Sequence, residues 1–304
     1  MVLKQWKKRI RKSTEDRILD GVILVICTLV LVMTAYPFYY AVIISLNDGK
    51  DALRGGIYFW PRVFSLENYK AVLRIDYIYT AAMVTLLRTL IGTLCTLAFT
   101  GLFAYSLSHR NLYFRRFYMV VMIITMYFSG GLIPYYMTLK FLGLMNNFLV
   151  YIIPGLLNAF YAIIMISFFR EIPDSLEEAA KIDGAGYLSI FFRIILPVSA
   201  PLLATMALFI GVYHWNAWSD AAFFVTSKSL KTLSFVLISL INQTEAAAQL
   251  AQTGMGSLAV KQSAIVGETL RPAAMIIVVV PIILVYPFLQ RYFVKGIMIG
   301  SVKG

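Results

Sequence analysis

Six long apolar stretches dominate the pattern of hydrophobic and polar positions along the chain. They cover approximately residues 18–46, 77–108, 117–139, 148–169, 194–215 and 272–292. A membrane-spanning helix needs about 20 apolar residues, and lipid favours helices because each segment must pair its own backbone groups. The short alternating segments of a membrane barrel do not occur. The pattern therefore predicts an all-α membrane protein in which residues 18–292 form one domain of six transmembrane helices.

The distribution of charge predicts how these spans are oriented. The 304-residue chain is 60% hydrophobic and carries a net charge of +12. Basic residues crowd positions 1–17, and loop 108–116 holds three arginines, whereas loop 140–147 holds one lysine. Because basic loops favour the cytoplasmic side, we expect residues 1–17 to form a basic cytoplasmic arm and residues 293–304 a cytoplasmic tail. The excess charge then reflects topology, and no nucleic-acid partner is expected.

The sequence lacks the motifs of an energy-converting or catalytic protein. No phosphate-binding loop of the form G-x-x-x-x-G-K-[ST] occurs. Carboxylates, which carry proton or sodium relays in membranes, are almost absent from the six stretches. Cys27, Cys95, His109 and His214 are scattered, which predicts neither a metal site nor a catalytic centre. We therefore expect a non-catalytic membrane subunit driven by another protein, with a secondary transporter independent of an ATPase as the alternative.

A short charged segment interrupts the apolar pattern between the fourth and fifth stretches. Residues 175–186 read SLEEAAKIDGAG. Pro173 suits the start of a helix, whereas Gly184 and Gly186 would end it and let the chain reverse. Apolar residues at helical spacing from 188 to 195 predict that the next segment lies along the membrane face.

The side chains of this segment suit either docking or solvation. Glu177 and Lys181 are four positions apart, the favourable order for an ion pair on a helix. Ala179 and Ala180 would offer a face that a partner can approach closely. A helix held off the membrane by a turn suits docking into another protein, and a solvated charged loop fits the same pattern.

The segment also resembles the EAA loop of ATP-binding-cassette (ABC) importer permeases. That pattern is E-A-A, a glycine after a three-residue gap, and I-x-L-P about ten residues further on. The residues that fill it here are Glu178, Ala179, Ala180 and Gly184, followed by IILP at 194–197. Asp183 completes the common D-G-A form. Nearly the whole chain is similar to the six-helix permeases of the carbohydrate class, and FSGGLIPYYMTLKFLGLMNN and WNAW look like its branch for polysaccharide-derived oligosaccharides.

This resemblance implies a type I ABC importer permease fold, with a cytoplasmic coupling helix inside loop 170–197. Such a subunit forms half of a translocation pathway for a carbohydrate in the bacterial plasma membrane. The implied partners are a second homologous permease, two ATP-binding subunits that hold ATP and Mg²⁺, and an extracellular solute-binding protein. This chain would bind no cofactor itself. The residues implied in coupling are Glu177, Glu178, Ala179, Ala180, Lys181, Asp183 and Gly184. A permease for a non-sugar solute is the alternative within the same family.

Candidates for the solute path lie in the outer halves of the spans. Arg88 lies well inside the second span, where a charge either forms a structural ion pair or faces a solute path. Gly130, Gly131 and Pro134 should break or kink the third span. The aromatic and amide side chains that could contact a sugar are Tyr127, Tyr135, Trp215, Asn216 and Trp218, unless they form an interfacial aromatic belt. Residues 216–271 are mostly polar and are expected to form an exposed outer loop with at most short helices.

Overall fold

The computed structural model of the protein describes residues 13–252, 267–285 and 287. Within these ranges the regular structure is helical. Its helices are α1 (Thr14–Ser45), α2 (Gly49–Ala52), α3 (Glu67–Leu73), α4 (Ile78–Ser108), α5 (Arg115–Tyr127), α6 (Leu132–Phe141), α7 (Ala159–Phe169), α8 (Asp174–Ile182), α9 (Tyr187–Ile190), α10 (Leu196–Val198), α11 (Ala200–Asn216), α12 (Ser219–Phe223), α13 (Leu233–Gln252) and α14 (Gly267–Val285). Single 3-10 or π turns occupy Phe148–Tyr151, Ile153–Gly155, Phe191–Ile195 and Lys228–Leu230.

The predicted six spans are present, three as continuous helices and three as bent pairs. The continuous helices α1, α4 and α14 are long and apolar enough to cross a membrane. The bent pairs are α5 with α6 at 119°, Phe148–Gly155 with α7 at 46°, and Tyr187–Val198 with Ala200–Phe223 at 85°. Helix α1 begins at Thr14, so residues 14–17 form its first turn and do not belong to a separate arm. The rest of the arm, the tail and the last residues of span six lie outside the described residues.

Helix α4 is the centre of the bundle. It packs against α7 and α11 along its length and against α13 near its N-terminal end. Two of its threonines donate hydrogen bonds to backbone carbonyls that lack helical partners at the bend between Phe148–Gly155 and α7. The hydroxyl of Thr96 donates to the carbonyl of Gly155 and that of Thr100 to the carbonyl of Leu156, both at 2.9 Å. Neighbouring helices must satisfy such groups in lipid, so α4 stabilises the bend in span four.

The third span is broken where the glycines and proline predict it. Helix α5 ends at Tyr127, and α6 begins at Leu132 after a sharp turn through 119°. Gly131 has a φ of +77°, a left-handed conformation that a residue with a Cβ adopts only at a cost. The turn opens a concave surface beside α6.

The prediction of an exposed outer loop over 216–271 is wrong for its middle part. Residues Leu233–Gln252 form a helix of 20 residues, α13. Its first turns are anchored, because Leu233 and Val236 are buried against Trp215 and Ala273. The second half of α13 is polar and lacks such an apolar face. The sequence-based prediction of a loop relied on that half. Residues 253–266 lie outside the described part of the chain.

Candidate coupling helix and solute path

Helix α8 is the predicted coupling helix, and its ends are defined by local hydrogen bonds. Pro173 is the N-cap residue of α8, and its carbonyl accepts a hydrogen bond from the N–H of Leu176 at 3.2 Å. At the other end, the N–H of Ala185 donates to Ala180 and that of Gly184 to Lys181, at 2.9 and 3.0 Å. This double closure needs a left-handed residue, and Gly184 supplies it with a φ of +80°. Gly186 is extended, so the expected second turn glycine is not used in this way.

The two alanines of the EAA pattern do not share one face, which corrects the sequence-based expectation. Successive residues of a helix point about 100° apart. Ala180 is buried and packs into the same apolar cluster as Phe191 and Ile195, whereas Ala179 is exposed. Ala180 therefore lets α8 lie close to its own membrane domain, and Ala179 faces outward.

The two glutamates also point in different directions. Oε2 of Glu177 lies 2.9 Å from Nε2 of His109 and 3.5 Å from Nζ of Lys181. The predicted pair with Lys181 is thus confirmed, and the contact with His109 was not predicted because 68 residues separate the partners. Glu178 is exposed. Sequence reasoning also missed Ile182, whose apolar side chain is 86% exposed.

We define the outer face of α8 as the exposed residues Glu178, Ala179, Ile182 and Asp183. It combines two carboxylates, a small residue and an exposed apolar side chain. Such a mixture suits a protein interface better than a lipid contact. The remaining candidates divide by position: Glu177 and Ala180 face the membrane domain, Lys181 bridges to Glu177 and Tyr187, and Gly184 shapes the turn.

The segment Tyr187–Val198 follows α8 and is bent by 85° relative to Ala200–Phe223, with which it forms the fifth span. Phe191 and Ile195 are buried, whereas Leu188 and Phe192 are exposed. One side of this segment therefore packs on the bundle, and its other side is apolar and open, as expected for a helix lying along a membrane face.

Arg88 belongs to a buried ion pair. Its side chain is 1% exposed and pairs with Asp220, whose side chain is 21% exposed. The guanidinium also donates to the carbonyl of Ala217 at 2.7 Å and lies 4.5 Å from the ring centre of Tyr151. A charge at this depth is costly unless paired, and the pair ties α4 to α12.

Lys231 also holds helix α12 in place. Its Nζ donates to the carbonyls of Ala221 and Val225 at 2.7 and 2.6 Å and lies 4.1 Å from the ring centre of Phe235. Burial lowers the pKa of Lys231 below its usual range. These contacts fix the helix that presents Asp220.

A cavity of about 650 Å³ opens beside the break in span three. Aromatic rings and polar groups share its wall. The lining residues are Ser129, Gly130, Gly131, Leu132, Pro134, Tyr135, Thr138, Tyr213, Ser219, Asp220, Phe223 and Phe224. Among the predicted contacts, Tyr135 lines the cavity itself and Arg88 lies behind it through Asp220.

The other predicted sugar contacts lie elsewhere. Trp215 is buried, and its indole N–H donates to the carbonyl of Val278 at 3.0 Å, so its ring has no free face. Tyr127 is 76% exposed, and Asn216 and Trp218 are exposed outside the cavity wall. Sequence reasoning missed Tyr213 of α11, which lines the same cavity as Tyr135 of α6. Among the described residues, no group of His, Cys, Asp and Glu is placed to hold a metal ion.

Known proteins resemble this chain over almost its full length. It is 34% identical over 291 residues to the polygalacturonan/rhamnogalacturonan transport system permease protein YtcP of Bacillus subtilis (strain 168), which covers 95% of this chain and 100% of the relative. Protein LplC of the same organism is 35% identical over 272 residues, with 90% of both chains covered.

A solved structure shares the fold. A chain from the crystal structure of a bacterial ABC transporter involved in the import of the acidic polysaccharide alginate superposes with a TM-score of 0.80 and 29% identity, covering 93% of this chain and 99% of that one. Residues 98–299 match the family described as binding-protein-dependent transport system inner membrane component. The six-span bundle with its protruding helix α8 therefore belongs to this family, and the chain is a permease subunit of an ABC transporter.

Proposed function

We propose that this chain is one of two permease subunits of an ABC importer for an oligosaccharide. The observation that carries the proposal is the geometry of α8. Two backbone hydrogen bonds close its C-terminal end, and one of its faces packs against the bundle. Its outer face is exposed and can contact a partner. The relatives and the solved alginate importer chain support a carbohydrate as the solute. ATP and Mg²⁺ bind to separate ATPase subunits, and this chain holds no nucleotide.

In this mechanism the outer face of α8 docks into an ATPase subunit. Glu178 and Asp183 contact basic groups of that subunit, and Ile182 fills an apolar depression, in keeping with an apolar centre ringed by polar residues. Closure of the ATPase dimer on ATP moves α8. The motion reaches the spans because Ala180 and Glu177 join α8 to the bundle.

The cavity beside the break in span three forms part of the sugar path. The rings of Tyr135 and Tyr213 suit the apolar face of a sugar, and Ser129, Ser219 and Asp220 suit its hydroxyl groups. Ligand sites commonly combine apolar walls with a few placed polar groups. A solute-binding protein delivers the sugar from outside, and both termini of this chain lie in the cytoplasm of a bacterial cell.

Copurification tests the assembly. The tagged chain is coexpressed with its chromosomal neighbours and purified in mild detergent. We expect a second permease and an ATPase subunit to remain bound, and Glu178→Lys combined with Ile182→Asp to release the ATPase alone. A stable complex that takes up solute without any ATPase would favour a secondary transporter and refute the proposal.

Transport into proteoliposomes tests the sugar path. We expect Tyr213→Ala to reduce uptake of the transported oligosaccharide, because the variant removes one wall of the cavity. Tyr127→Ala is the matched control, since that ring is exposed outside the cavity. Equal uptake by both variants would show that the cavity is not part of the sugar path. Uptake of a non-sugar solute, without uptake of any oligosaccharide, would show that the chain belongs to an importer for that solute.

A further inference from the structure

The ring of His109 lies between two hydrogen-bond acceptors. Nδ1 is 2.9 Å from the carbonyl oxygen of Tyr105, and Nε2 is 2.9 Å from Oε2 of Glu177. A carbonyl oxygen only accepts, so Nδ1 must donate. A neutral imidazole has a single N–H. Nε2 can therefore donate to the carboxylate only if the ring is the doubly protonated imidazolium.

Both helices favour this charge state. His109 is the C-terminal cap of α4, where the helix dipole stabilises a cation. Glu177 lies in the first turn of α8, where the dipole stabilises an anion, and Lys181 lies 3.5 Å away. The positive end of α8 and Lys181 thus attract a carboxylate to this position independently of His109.

Aromatic rings shield the pair from water. The ring of Tyr105 stands edge-on 4.7 Å from the His109 ring, and that of Tyr187 lies 5.9 Å away. The side chains of His109 and Glu177 are 27% and 16% exposed. A charge-assisted hydrogen bond is about twice as strong as a neutral one, and partial burial reduces its screening by salt.

We propose that His109, as imidazolium, is a positioning residue that clamps α8 to the cytoplasmic end of α4. The proposal rests on the proposed coupling role of α8 and adds a regulator to it. The clamp loosens at any pH at which the ring is neutral, because a neutral ring has one N–H, which Nδ1 donates to the carbonyl of Tyr105. The titratable groups that face the ring are Tyr105 on α4, Glu177 and Lys181 on α8, and Tyr187 on α9.

A spin label on α8 reads the clamp without any substrate or ATPase. Ile182→Cys carries the label on the exposed face of the full chain in lipid nanodiscs, with Cys27 and Cys95 replaced by alanine. When the pH is raised from about 5 to about 8, we expect the ratio of immobile to mobile label to fall about tenfold, as loss of one charge-assisted hydrogen bond predicts.

Three variants make the experiment decisive. His109→Arg keeps a cation at every pH, so its label should stay immobile. His109→Gln keeps a donor without the charge, so its label should be mobile throughout. Lys140→Met removes an exposed cation on α6, is the matched control and should keep the pH response of the parent. The same profile in the parent and in His109→Arg, or no profile in either, would overturn the clamp.

Uptake separates this inference from the proposed function. In the reconstituted importer, the ratio of sugar transported to ATP hydrolysed should fall with pH in the parent and stay constant in His109→Arg. A pH-independent ratio in the parent would overturn the regulatory role. Absence of sugar uptake at every pH, together with a normal label response, would refute the function assigned to the chain and leave the clamp intact.

Discussion

Removal of one partner from the buried ion pair of Arg88 and Asp220 should have unequal effects on stability. The Arg88 side chain is 1% exposed, whereas that of Asp220 is 21% exposed and lines the cavity. Asp220→Asn leaves a guanidinium that water cannot reach. Arg88→Met leaves a carboxylate that water in the cavity can solvate. The arginine should therefore tolerate the loss of its partner less well.

The size of each effect follows from these environments. Loss of one member of a buried pair typically costs about 3–5 kcal/mol. We expect about 3 kcal/mol for Asp220→Asn, because the amide oxygen still accepts one hydrogen bond. For Arg88→Met we expect a loss of about 1–2 kcal/mol. The hydrogen bond to the carbonyl of Ala217 is lost, but water in the cavity partly hydrates the unpaired aspartate, which keeps the cost low. Replacement of both, Arg88→Met with Asp220→Ala, should cost about 1 kcal/mol because no charge remains unpaired.

Unfolding of the purified chain in mixed micelles measures these differences. Sodium dodecyl sulfate is titrated into detergent-solubilised protein, and tryptophan fluorescence reports unfolding, since Trp215 is packed in the bundle. Asp76→Asn, at an exposed position, is the control for a change of carboxylate to amide and should shift stability by no more than about 0.5 kcal/mol.

Two outcomes would refute this reasoning. If Arg88→Met destabilises the chain as much as Asp220→Asn, exposure to the cavity does not protect the aspartate. If the double variant costs the sum of the two single changes, the residues do not act as a pair.

Three further substitutions test packing and backbone geometry by the same unfolding assay, each with a stated contrast. Gly92→Ala should cost about 1–3 kcal/mol, because the new Cβ would lie 2.7 Å from the buried histidine ring of α11; Gly211→Ala, whose Cβ would make an ordinary 3.5 Å contact, should be nearly neutral, and equal effects would contradict the close approach. Gly184→Ala should cost about 1–2 kcal/mol at its positive φ, whereas Gly186→Ala should not destabilise, and the opposite order would assign the turn to the wrong glycine. Ala180→Leu should lower stability by about 1–3 kcal/mol and reduce ATPase retention through overpacking against the bundle; unchanged stability would mean that this face is not packed.

The prediction of the fold succeeded where the physical signal is local. Length and apolarity suffice to identify a span, because lipid requires each segment to satisfy its own backbone. The break at Gly131 and the pair of Glu177 with Lys181 follow from preferences within one or two turns. The end of α8 at Gly184 is of the same kind. Each of these features involves residues close in sequence.

The candidate site depended on contacts that no local pattern encodes. Asp220 reaches Arg88 across 132 residues, and Glu177 reaches His109 across 68. Trp215 reads as a sugar contact in the sequence, and the packing of α14 buries it. The apolar pattern of the sequence determined that this chain crosses the membrane, and the charged segment 175–186 indicated where helix α8 lies. Tertiary structure decided which face of each helix is buried, because that depends on the surfaces that distant helices bring against it.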